Sequence, residues 1–91
     1  GVSNISEELE NQIKVYPNPS TGQVQVQCSY ETKERIKLEI SSIDGSKIWE
    51  DNFYSNSYYQ TINLSDQANG VYILKLSGNN HIETRKIIIN K

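Results

Sequence analysis

Two-residue alternation is the feature of this sequence that most restricts its fold. Residues 23–30 read QVQVQCSY. Apolar or aromatic side chains occupy every second position: Val24, Val26, Cys28 and Tyr30. Side chains of a β-strand point to opposite faces in turn, whereas a helix repeats every 3.6 residues. The segment is therefore predicted to be a strand with one buried face.

The same kind of pattern predicts further strands. Residues 35–40 alternate again, and the Asp44-Gly45 dipeptide that follows is typical of a tight hairpin turn. The remaining predicted strands cover residues 13–16, 47–53, 58–64, 71–77 and 83–90. One helical turn is predicted at residues 65–69. About seven strands in about eighty residues predict an all-β sandwich of two antiparallel sheets.

The chain has room for one domain, since its 91 residues are only 35% hydrophobic. Residues 13–91 are assigned to the β-sandwich. Residues 1–12 are polar and acidic without sustained periodicity, so they are predicted to be a flexible linker. The sequence has no methionine and no amino-terminal signal sequence, which we interpret as the mark of a piece cut from a larger protein.

Charge and residue types exclude several function classes. A net charge of −2 gives no general attraction to nucleic acid or anionic membranes, and no apolar run approaches the ~20 residues of a spanning helix. The single cysteine, Cys28, excludes an intrachain disulfide and is predicted to be buried. His81, the single histidine, is predicted to be exposed in a turn. No nucleophile, metal or phosphate motif occurs, so we predict no catalytic residue and no cofactor.

A group of aromatic residues defines the competing interpretation. It consists of Trp49, Phe53, Tyr54, Tyr58 and Tyr59. If exposed together, these rings would suit a carbohydrate-binding or adhesive β-sandwich. Packing in the core and along a sheet edge explains them without any ligand, and this is the interpretation we prefer. A purely structural spacer module is a third interpretation.

Segments at the start, middle and end of the domain together resemble a known family. They are YPNPSTGQVQV, EISSIDGSKIWE, LSDQANGVYILKLS and ETRKIIINK. The combination is similar to the carboxy-terminal sorting domain, in its type A form, of type IX secretion cargo from bacteria of the Bacteroidota. The resemblance covers residues 13–91. The mainly structural motif positions are matched by Pro17, Asn18, Pro19, Gly22, Asp44, Gly45, Gly70 and Tyr72.

The resemblance implies an immunoglobulin-like sandwich of seven strands that acts as a non-catalytic sorting signal. The implied partners are an N-terminal cargo domain, the type IX translocon and a sortase-like peptidase that removes the domain in many cargos. The implied location is the periplasm in transit to the outer-membrane surface or the extracellular space. No nucleic-acid partner and no membrane insertion are expected, whereas free strand edges would allow weak self-association.

The last strand, residues 83–90, is predicted to be what the translocon recognises. An exposed strand edge offers backbone pairing to a partner, and cationic side chains add orientation and association rate. The residues predicted to contact the translocon are Arg85, Lys86, Ile87, Ile88, Ile89 and Lys91. Pro17 and Pro19 cannot donate backbone hydrogen bonds and are predicted to form a rigid crossing between sheets.

Overall fold

The computed structural model describes residues 13–91, which form five antiparallel strands. The strands are β1 (Ile13–Tyr16), β2 (Gln23–Ser42), β3 (Lys47–Asn63), β4 (Gly70–Ser77) and β5 (Ile82–Ile89). β3 pairs with one edge of β2. The other edge of β2 pairs first with β1 and then with β4, and β4 pairs with β5.

The described residues confirm the predicted all-β class and correct two details. The predicted helical turn at residues 65–69 is wrong, because this segment forms only a turn in which the Gln67 amide donates to the Leu64 carbonyl at 3.0 Å. Seven predicted strands become five, because β2 and β3 each continue through a polar segment that the sequence suggested as a loop. Their pairing shifts register between Ser29 and Glu34 but resumes beyond it. The predicted linker, residues 1–12, lies outside the described residues.

One hydrophobic core joins the two halves of the sheet. Residues of β2 point inward along its whole length, from Val24 and Val26 in the first half to Leu38 and Ile40 in the second. All four are fully buried and belong to one cluster that also contains Leu74 of β4. Since one face of each half supplies this cluster, the sheet curls until its halves face each other, consistent with an immunoglobulin-like sandwich.

Curling of the β2–β3 hairpin brings distant segments to one end of the domain. The hairpin bends at residues 30–34, and its tip is the turn at residues 43–46. Gly70 lies opposite Ile89, and Ser20 forms an isolated parallel bridge with Ile89. We call the end that contains these residues the closed end, and the opposite end, around residues 30–34, the bend end.

The predicted hairpin turn at Asp44-Gly45 is confirmed. Gly45 has a φ of +94°, in the left-handed region that favours glycine, and its amide donates to the Ser42 carbonyl at 2.9 Å. The Asp44 carboxylate accepts hydrogen bonds from the Ser42 hydroxyl and, at 3.1 Å, from the Ser46 amide. The Ser42 bond is the main cause of the lowered pKa of Asp44.

Gly22→Ala is expected to destabilise the domain because the chain approaches itself closely at this position. Gly22 has a φ of +140°, and an added Cβ would lie 3.1 Å from the Ser65 Cα. The combined strain should lower the free energy of unfolding by about 1–3 kcal/mol, measured by urea denaturation. Gly70→Ala is the matched control, since Gly70 has a φ of +154° with nothing within 4 Å. Equal losses in the two variants would contradict a contribution from the Ser65 contact.

The domain is expected to lose stability at alkaline pH because its cysteine, Cys28, is buried as a neutral thiol. Burial, and secondarily the Glu83 carboxylate, raise the pKa of the Cys28 thiol to about 12. In the unfolded chain an ordinary thiol ionises near pH 8.5, so between about pH 9 and 12 the unfolded state binds fewer protons than the folded state. Stability should therefore fall over that range. Urea unfolding of Cys28→Ala should show a weaker fall, and identical pH profiles would contradict the assignment.

Candidate functional site

Asn18 binds the outer edge of β5 with its side chain. Its Nδ2 donates to the Lys86 carbonyl at 2.8 Å, and its Oδ1 accepts from the Ile88 amide at 2.9 Å. A carboxamide carries the same donor and acceptor groups as a backbone peptide unit. Asn18 therefore makes the two hydrogen bonds that a neighbouring strand would otherwise make with this part of β5.

Ser20 extends the same contact with its backbone. Its amide donates to the Ile88 carbonyl, and its carbonyl accepts from the Asn90 amide, both at 2.8 Å. The peptide bonds that precede Pro17 and Pro19 are both cis. The predicted crossing between sheets is wrong, because the proline segment connects β1 to β2 and these strands pair directly with each other in one sheet. The segment also lies against β5, which the sequence did not indicate.

β5 divides the predicted translocon contacts between the core and the surface. Ile87 and Ile89 point inward and are 0% and 1% exposed. Lys86 is exposed and Ile88 is half-buried, and both point away from the core. A partner of the folded domain cannot reach the side chains of Ile87 and Ile89, so these two residues hold β5 in place.

Arg85 and Lys91 are engaged within the domain. A guanidinium nitrogen of Arg85 donates to the Thr84 carbonyl at 2.8 Å, and another lies 3.5 Å from a Glu83 carboxylate oxygen. The Lys91 Nζ donates to the Ser65 carbonyl at 3.0 Å, and the Lys91 amide donates to the Asn69 Oδ1 at 2.9 Å. The Lys91 contacts tie the segment after β5 to the loop before β4.

Lys86 and Ile88 share a surface with β4. Val71 lies opposite Ile88, and Ile73 lies opposite Lys86. Directly opposed residues of paired strands are close enough for their side chains to touch. The β4–β5 outer face is defined as Val71, Ile73, Lys75, Thr84, Lys86 and Ile88. It therefore combines three apolar side chains with two lysines. Val71 and Ile73 were not among the residues predicted to contact the translocon, although the run VYILKL places apolar residues on both faces of β4.

The other motif residues shape the closed end. Tyr72 is buried, and its hydroxyl donates to the Ala68 carbonyl at 2.6 Å, which closes the turn before β4. The Tyr72 side chain therefore anchors this loop. Tyr72, one of the motif positions predicted to be mainly structural, thus closes a loop of the domain.

The aromatic group does not form one surface. Trp49, Phe53 and Tyr58 pack against the core, and the rings of Phe53 and Tyr58 stack with centroids 4.2 Å apart. Tyr54 and Tyr59 are 62% and 58% exposed, but they lie on the outward faces of different halves of the sheet. Since the halves face each other across the core, these outward faces point apart. The packing interpretation is confirmed for three of the rings.

The prediction that His81 is exposed in a turn is wrong, because its side chain is half-buried and has partners. At the bend end its Nε2 lies 3.0 Å from a Glu34 carboxylate oxygen, and its Nδ1 lies 3.7 Å from one of Glu83. Its ring packs beside Tyr30 with centroids 5.5 Å apart. A Cβ added to Gly78 would lie 2.4 Å from the His81 Nε2, so the glycine leaves room for the ring. These contacts link β2 to the turn before β5.

Comparison with known families identifies the chain. In residues 13–91 no helix is both long and apolar enough to cross a membrane. No curated protein matches the sequence. A family model described as the secretion system C-terminal sorting domain matches residues 14–90, which include β2 to β5, all of β1 except Ile13, and the eight motif positions from Pro17 to Tyr72. The chain therefore belongs to the family of type IX secretion system C-terminal sorting domains, which are non-catalytic signals that connect a parent cargo protein to the secretion machinery.

Proposed function

We propose that the type IX translocon recognises this domain in its folded form and contacts the β4–β5 outer face. Membership of the family implies that the parent protein is exported to the outer membrane or cell surface. Among the six residues predicted to contact the translocon, Lys86 and Ile88 would make the contact. Ile87 and Ile89 would position the strand, and Arg85 and Lys91 would stabilise its surroundings.

The apolar character of an outward surface is the observation that carries this proposal. On the first half of the sheet no aliphatic side chain occupies the outward positions around Gln25, Gln27 and Thr61. The aromatic residues there, Tyr16 and Tyr59, carry hydroxyls that donate to the Gln27 and Gln25 carboxamides. Contiguous exposed apolar side chains on a soluble surface are typical of interaction sites. On the β4–β5 outer face Val71, Ile73 and Ile88 are half-buried, so each apolar side chain stays partly accessible, and Lys86 beside them would add orientation and association rate.

Removal of the domain by a sortase-like peptidase is the second step that we propose. Cleavage would fall within or before residues 1–12, because that segment is polar and lacks the periodicity of a strand or helix. Mass spectrometry of exported cargo should then find peptides of the cargo without those of residues 13–91. Exported cargo that retains residues 13–91 throughout would contradict this step and leave the recognition proposal standing.

A fusion of all 91 residues to a neutral reporter in a type IX-competent cell tests recognition. The unmodified fusion should reach the surface. Lys86→Glu/Ile88→Ser should reduce surface reporter about tenfold or more, since centrally placed contact residues dominate binding. Both side chains point outward, so the purified variant should unfold with a midpoint close to that of the unmodified domain.

Lys14→Glu/Tyr16→Ser is the matched control. It makes a similar charge reversal and a similar loss of apolar surface on the outward side of β1. Full export of the Lys86/Ile88 variant, or equal loss in both variants, would overturn the assignment of the recognition surface. Failure of the unmodified fusion to reach the surface would overturn the sorting function itself.

A further inference from the structure

β5 contains the segment of this chain that is most suited to pairing with another chain. Residues 87–89 are three consecutive isoleucines, without proline or glycine among them. β-branched residues favour strands, and such runs drive strand addition when their edge is open. β5 pairs with β4 along only one edge, so its second edge would be available to an added strand.

The segment that contains Asn18 and Ser20 covers this second edge over the isoleucine run. It makes four hydrogen bonds with Lys86, Ile88 and Asn90, each between 2.8 and 2.9 Å. Along one edge of a strand, only every second residue directs its backbone N–H and C=O groups toward a neighbouring strand. Lys86, Ile88 and Asn90 are the residues that do so between positions 86 and 90, and all three are hydrogen-bonded to the covering segment. The covered stretch therefore coincides with the run of isoleucines.

The prolines prevent the covering segment from becoming a new edge. Pro17 and Pro19 flank Asn18 and have no backbone N–H to offer a further strand. The first half of β5 is not covered in this way, but it carries Glu83 and Arg85, and charged residues disfavour strand addition. The segment that contains Asn18 and Ser20 thus covers the part of the β5 edge, residues 87–89, that has no charged residue to disfavour strand addition.

We propose that Asn18 and Ser20 form an edge cap that prevents a second copy of this chain from pairing with β5 at residues 86–90. This goes beyond the sorting function, since it concerns self-association and not recognition by the translocon. It also narrows the weak self-association expected from the sequence, because this part of the β5 edge is already occupied.

Asn18→Ala tests the cap in the full 91-residue chain. The Ile88 amide loses its acceptor in this variant, so its hydrogen exchange should accelerate about tenfold. Sedimentation velocity over micromolar to millimolar concentrations should show a monomer for the unmodified chain and concentration-dependent dimers for the variant. Asn56→Ala, an exposed asparagine of β3, is the matched control and should match the unmodified chain in both measurements.

A second substitution locates the new contact. Ile88→Lys places a charge on the uncapped edge, so Asn18→Ala/Ile88→Lys should be monomeric. If Asn18→Ala does not fold, Asn18→Gln keeps the carboxamide but displaces it by one methylene and should show the same two changes. An unchanged Ile88 exchange rate, a variant that stays monomeric, or dimers that persist in the double variant would each overturn the proposal.

Discussion

A chain that lacks residues 84–91 is expected to be unfolded and to leave its cargo unexported in the periplasm. The deletion removes Ile87 and Ile89 from the core and exposes the β4 edge that β5 covers. Each buried isoleucine contributes about 1.5–3 kcal/mol, and the total stability of small domains is about 5–15 kcal/mol. The loss is therefore large enough to abolish the cooperative transition in thermal or urea unfolding.

The export measurement must be combined with the folding measurement. Cell fractionation should find the truncated cargo in the periplasm, and circular dichroism of the purified chain should show loss of the native β-sheet spectrum. The Lys86→Glu/Ile88→Ser variant is the comparison that separates recognition from folding, because it alters the outward side of the same strand. Normal secretion of the truncated cargo would contradict a signal located in this domain's last strand.

Ile87→Ala is expected to cost far more stability than Ile88→Ala, although the two residues are adjacent and identical. Ile87 is fully buried in the core, whereas Ile88 is half-buried on the outer face. Truncation of a buried isoleucine leaves a cavity and should lower the free energy of unfolding by about 3 kcal/mol. The Ile88 substitution should cost about 1 kcal/mol or less. Urea denaturation of both variants, with equal slopes, provides the comparison.

Each variant also predicts a different export defect. Ile87→Ala should recover export when growth temperature is lowered, because its defect is loss of the folded state. Ile88→Ala should show a partial defect that does not depend on temperature, because it removes part of a contact surface. Equal stability losses in the two variants would show that β5 does not alternate between core and surface as described.

Alternation along one strand could be predicted from the sequence because it depends only on neighbouring residues. Val24, Val26, Cys28 and Tyr30 are all buried, as the pattern in β2 indicated. Alternation was a weaker guide at Gln60, which occupies an inward position of β3 opposite the buried Val26 but is exposed. β3 pairs with β2 alone, so this part of β3 lies at the margin of the sheet. Burial thus required knowledge of where a strand lies within the sheet.

The run of isoleucines in β5 shows a second limit of the sequence. A continuous β-branched run predicts a strand but does not indicate which residues face the core. The pairing of Tyr72 with Ile87 and of Val71 with Ile88 decides it. Lys86 and Ile88 become surface residues for that reason, and the predicted translocon contacts separate into outward and buried groups.

The sequence by itself determined the all-β class, the buried face of β2, the hairpin turn at Asp44-Gly45 and the family motifs, because each is expressed in residues close together along the chain. Only the tertiary structure decided that residues 13–91 contain five continuous strands and that Asn18 pairs with Lys86, 68 residues away. Period and turn chemistry are local properties. Which edge remains uncovered depends on how the whole sheet closes, and no short pattern records it.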